Sequence, residues 1–174
     1  MTQIQKVKPR KIVDIELEAE NLLHMFQPEV MKRVGIFDVE HFFEFELQAD
    51  TQIEPVCDDL PSGIDGYTDS LRMKSFISKD LWECGADIVQ RRRLRSTMAH
   101  EIGHCYLHVP DARRDREMQQ VFGNDHASPF ELYDPDDLRA FEDPEWQAWR
   151  FASALLMPQD CFRRAVRDWG AVPL

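Results

Sequence analysis

The feature that most restricts this chain is the pentapeptide His100-Glu101-Ile102-Gly103-His104. Two histidines four residues apart on a helix lie on one face, one turn apart, so both imidazoles reach a single point. Imidazole nitrogen suits borderline Zn²⁺ better than Mg²⁺ or Ca²⁺, which prefer oxygen. Glu101 follows His100 directly, on the side where a water on such an ion would lie. There a carboxylate can take that water's proton and later hand it to a leaving amine. Ser96-Thr97-Met98-Ala99 leads into the helix, and Gly103 leaves room for close packing at the metal face. The same pattern also arises on ordinary surface helices, so a third ligand from elsewhere in the chain has to complete the argument.

A second glycine and third histidine in the longer metzincin spacing would fall at Leu107 and Pro110, so that pattern fails. The third ligand is therefore a downstream carboxylate, with Glu131, Asp134, Asp136, Asp137, Glu142, Asp143 and Glu145 as candidates. Glu145 is favoured on physical grounds. It opens a helix whose Ala148 and Ala152 form a small-residue face able to approach the His100 helix, and a carboxylate in the first turn suits the helix macrodipole. Asp143 is the runner-up, although a role as N-cap accounts for it fully.

Around this centre, 174 residues fit one compact domain, and a hydrophobic fraction of 43% is enough for a core. Apolar spacing predicts a helix from Ile12 to about Met31, broken or kinked at Pro28, and a second helix over Asp38–Leu47 with Asp38 as N-cap. Ala49 to Cys57 and Leu71 to Leu81, the latter alternating around Met73, Phe76 and Ile77, read as strands of a small antiparallel sheet. Leu94 to His108 reads as the motif helix and Asp111–Val121 as another. Phe122–Asp143 reads as a long acidic loop. A helix from Pro144 to Met157 and a last one over Gln159–Trp169, ending at Gly170, complete the chain. There is no apolar run long enough to cross a membrane and no apolar segment after the basic N-terminus, which predicts a cytoplasmic protein with free cysteines.

In two segments of its sequence, the chain resembles the ImmA/IrrE family of metallopeptidases. Ser96-Thr97-Met98-Ala99-His100-Glu101-Ile102-Gly103-His104 is similar to that family's TxAHExGH helix. Glu145-Trp146-Gln147-Ala148-Trp149-Arg150-Phe151-Ala152-Ser153-Ala154-Leu155-Leu156-Met157-Pro158 is similar to its ExxANxFAxxLLMP helix. The likeness is strong over 94–158 and weaker upstream, where Gly66-Tyr67-Thr68-Asp69 and the following strand also fit. It implies an α+β fold: a mainly helical, zincin-like metallopeptidase domain over 1–174, with a small antiparallel sheet beside the HExxH helix. The catalytic core would span about 48–158, preceded by a helical part over 12–47 and followed by a short helix over 159–169. It implies Zn²⁺ held by His100, His104 and Glu145, with Glu101 as general base and a fourth position open. It also implies a substrate class, helix-turn-helix repressors, whose cleavage lifts repression in stress, DNA-damage or phage responses. One departure is Trp149, where the family carries asparagine, which should change helix packing or a hydrogen bond to a ligand. The strand Met73–Ile77 would be the edge to which an extended peptide adds.

Other residues carry lesser claims. Cys57 or Cys84 offers a thiolate for the open zinc position in a latent state, against the plainer reading of free thiols. Cys105 points away from the ligand face, toward the core. His108, one turn past His104, orients a ligand or, at the helix end, caps carbonyls. His126 and Tyr133 could stabilise an oxyanion, while His24 and His41 read as ordinary. Arg91-Arg92-Arg93-Leu94-Arg95 reads as a solvated turn, or else as an anion-binding patch through which nucleic acid signals activation. A net charge of −11 makes the chain a poor general binder of DNA or anionic lipid. The alternative to proteolysis is a metal-containing sensor that regulates a repressor by binding alone; a general base beside the first ligand argues against it.

Overall fold

The computed structural model describes residues 4–5, 7–33, 35–83, 85, 87–122, 132–133 and 140–170. The fold is α+β. Two helices form its centre: α6 (Ile88–Leu107) and α8 (Pro144–Leu156). Asp87 starts α6 by accepting from the backbone N–H of Val89 and Gln90, which satisfies donors that the first helical turn leaves free. From Thr97 onward α6 is buried on nearly every side, so its second half is a core element and its first half a charged surface. Asp143 caps α8 through the N–H of Glu145, with Pro144 at the first helical position.

The N-terminal helices wrap this pair. α1 (Ile12–Phe26) packs on α8 and stops where Pro28 begins α2 (Pro28–Lys32). Asp38 accepts from His41 N–H and opens α3 (Val39–His41), which runs through a π-turn at Phe42–Glu46 into α4 (Leu47–Thr51). One hydrophobic core joins Ile15, Leu23, Phe42 and Phe43 from these helices to Met98, Ile102 and Phe151 of the central pair.

After β1 (Ile4–Gln5), the strands are β2 (Glu54–Asp58), β3 (Gly66–Asp69), β4 (Lys74–Ser78) and β5 (Leu132–Tyr133), the last pairing with β1. The main sheet has the order β2-β4-β3 and is mixed rather than antiparallel, as the spacing had suggested: β2 runs parallel to β4, and only β3 is antiparallel to it. The connection from β2 skips the central position to reach β3, and the turn back from β3 places β4 between them, parallel to β2. The strand expected over Leu71–Leu81 is shorter. Asp69 accepts from Leu71 and Arg72 N–H to fold a turn, Met73 takes a left-handed φ of 56°, and Lys79–Trp82 is the helical turn α5. Because β4 is flanked on both sides, Met73–Ile77 is no edge; β3 is. α7 (Val109–Phe122) and α9 (Gln159–Gly170) complete the described elements, and α9 includes Gly170 instead of ending before it. No helix among the described residues is long and apolar enough to cross a membrane.

Candidate metal centre

The approach of α8 to α6 makes the site. A Cβ on Gly103 would lie 3.0 Å from the Ala148 carbonyl oxygen and 3.1 Å from its Cα, so the two backbones meet where neither carries bulk. That contact sets the first turn of α8 over the ligand face of α6. His100 Nε2 and His104 Nε2 are 3.0 Å apart. Glu145 reaches His100 Nε2 with Oε2 at 3.0 Å and His104 Nε2 with Oε1 at 3.4 Å. Three donors thus converge from two helices, and together they can hold a metal ion. The fit is good on chemical grounds: ligands about 2.0–2.1 Å from a tetrahedral zinc stand roughly 3.3 Å from one another. The hydrogen bonds from His100 and then His104 hold the Glu145 carboxyl well below the usual carboxylate range. Burial opposes charge on His104, yet its bond to Glu145 and the pull of Glu101 leave its pKa raised.

Glu101 is buried behind the ligands, and Thr68 of β3 donates to its Oε2 at 2.8 Å. Burial raises the Glu101 pKa against the lowering pull of His104 and the Thr68 bond, the direction expected of a carboxyl that has to take and return a proton near neutrality. β3 sits close enough to do this because Gly66 packs against the Phe76 carbonyl and Thr97, where a Cβ would approach to 2.8 and 3.0 Å. The centre opens into a cleft of about 610 Å³ between β3 and α8, with Tyr67, Arg93 and Trp149 on its walls.

Of the third-ligand candidates, Glu145 joins the two histidines and Asp143 is the N-cap of its helix. Glu142 lies in the 3₁₀ turn before it. Glu131, Asp134, Asp136 and Asp137 lie outside the described residues, as do Cys84 and His126; Tyr133 is described only as backbone in β5. Cys57 is on β2, the edge strand on the other side of β4 from β3. Burial and then Glu83 raise its pKa. Cys105 is buried in the core, its thiol pushed up to about 12 by desolvation.

Trp149 packs its ring 4.3 Å from that of His100. His100 Nδ1 is buried with no hydrogen-bond partner among the described residues. His108 is the C-cap residue of α6, its backbone N–H donating to the His104 carbonyl, but its side chain does not bond the terminal carbonyls. Arg10 serves a carbonyl at that end instead, donating to the Leu107 carbonyl at 2.8 Å and pairing with Asp111. His108 instead turns inward, its Nδ1 2.9 Å from His104 Nδ1 and its Nε2 3.2 Å from Gln147 Oε1. Burial, with His104 beside it, lowers its pKa to about 3. The arginine run is helix, not turn. Arg91 and Arg95 pair with Glu40, Arg93 pairs with Asp65, and Arg95 also donates to the Phe37 carbonyl. Intramolecular partners thus take up charge that an anion-binding patch would need.

Sequence reasoning missed the roles of Thr68 and Gln147. Neither has a local signal, because each acts on a residue far away in the chain. This chain matches no protein-family model, no curated protein and no solved structure.

Proposed function

We propose that this chain is a zinc-dependent endopeptidase of the ImmA/IrrE type that cleaves a helix-turn-helix repressor. The observation that carries the reading is the convergence of His100, His104 and Glu145 beside a buried Glu101 oriented by Thr68. Zinc held by these three side chains would polarise the scissile carbonyl and make hydroxide available from water near neutral pH. Glu101 accepts the proton released from the attacking water and returns it to the leaving amine. Thr68 keeps Oε2 occupied, and Glu101 lines the cleft. β3, an edge strand of the sheet, lies beside Glu101, and an edge strand is where an extended peptide can add.

Two measurements test the reading. Purified protein should carry one tightly bound zinc per chain. Co-expressed with the repressor encoded beside its gene, wild-type protein should cleave it and Glu101→Gln should not. Equal cleavage by both removes Glu101 as the base; zinc binding without cleavage under any stress favours a binding module instead.

A further inference from the structure

The hydrogen bonds behind His104 form a chain whose donors and acceptors can be assigned from its far end. Gln147 is fully buried, and its Nε2 lies 3.0 Å from the Lys8 carbonyl oxygen and 2.8 Å from that of Phe141. Carbonyls only accept, so both amide hydrogens are committed there and Oε1 is the atom facing His108. That oxygen is an acceptor, and His108 Nε2 at 3.2 Å must therefore carry a hydrogen. A ring with its one proton on Nε2 has its lone pair on Nδ1, which stands 2.9 Å from His104 Nδ1. His104 then donates from Nδ1, so the neutral ring that a metal would bind has its lone pair on Nε2, the atom that faces His100 and Glu145.

We infer that His108 and Gln147 are positioning residues that fix the tautomer and ring orientation of His104, through a neutral relay ending on the backbone carbonyls of Lys8 and Phe141. The inference rests on the metal site proposed above. A ligating histidine commonly donates its second ring N–H to a carboxylate, a carbonyl or water. Here an imidazole accepts it, so His104 is oriented without another negative charge beside Glu145. The geometry is economical: His100, His104 and His108 follow one another at four-residue steps on α6, while Glu145 and Gln147 share the first turns of α8. The same amide joins the segment before α1 to the turn before α8, so the N-terminal strand of chain at Lys8 is part of what holds the ligand.

The test has two arms. In the first, long-range proton–nitrogen NMR spectra of the unmutated, zinc-loaded protein read the protonation of each imidazole nitrogen. His108 should be protonated at Nε2 and bare at Nδ1, and His104 protonated at Nδ1. A proton on His108 Nδ1 overturns the relay. In the second, zinc affinity is measured by competition with a chromophoric chelator, with circular dichroism confirming that each variant is folded. His108→Phe keeps the ring shape and removes the acceptor, and should bind zinc about 10–100-fold more weakly. His108→Gln, which restores a carbonyl oxygen, should recover much of that loss. Wild-type affinity in His108→Phe, or no recovery in His108→Gln, overturns the acceptor role. If the unmutated protein binds no zinc at all, the metal-site reading fails instead, and the His108 tautomer remains measurable in the metal-free protein.

Discussion

Gly103 on α6 meets the backbone of Ala148 on α8 so closely that a methyl group there would stand only 3.0 Å from the Ala148 carbonyl oxygen. The pair joins fold to site, because Glu145 sits one turn before Ala148 and follows any displacement of α8. Gly103→Ala should therefore disturb both. Overpacking of this kind typically destabilises by about 1–3 kcal/mol, and zinc affinity should fall with it. Thermal melting and chelator competition on the same preparation read the two effects; an unchanged melting temperature would show that α8 can yield freely.

Glu145 supplies the only anionic donor of the three. Glu145→Ala should leave a folded protein that loses its zinc on dialysis, whereas Asp143→Ala should keep the metal and destabilise by about 1 kcal/mol through loss of the cap. Metal analysis and denaturant melts separate the roles. Zinc loss in the Asp143 variant with Glu145 intact would mean the assignments are reversed.

Thr68→Val preserves shape and deletes the donor to Glu101 Oε2. A buried carboxylate left short of a partner costs about 1–3 kcal/mol. The variant should bind zinc normally, melt earlier and cleave the repressor more slowly. Undiminished cleavage would separate Thr68 from the reaction.

The pH dependence of the metal-free protein follows from the shifted groups. Glu101 and His104 have folded pKa values above their ordinary ones, so their contribution is complete at low pH and is lost as pH rises through the folded values. Glu145 is shifted down, so its contribution is present above about pH 4.3 and is lost as pH falls. Melting in the presence of a chelator should show greatest stability in the mildly acidic range and a decline toward alkaline pH. Glu101→Gln, which cannot ionise, should flatten that decline. A melting temperature still climbing at alkaline pH would contradict this.

Much of the fold is legible in the sequence because it depends on neighbours a few residues apart. The turn spacing of His100 and His104 places them on one helix face. Pro28 ends α1, Asp38 and Asp143 cap their helices, and the small residues Gly103, Ala148 and Ala152 mark where two helices can approach. Helix periodicity and capping are short-range, and a linear reading recovers them. Tertiary structure alone decided the partners. Thr68 meets Glu101 across 33 residues and His108 meets Gln147 across 39; β2 pairs parallel to β4, which puts β4 in the middle and β3 at one edge. Each of these needs the chain to close a long loop first, and nothing in local spacing says which of many polar residues will arrive opposite. His100, His104 and Glu145 could be named as a ligand set from their letters; that their donor atoms converge, and what holds His104 in place, came only with the packing of α8 on α6.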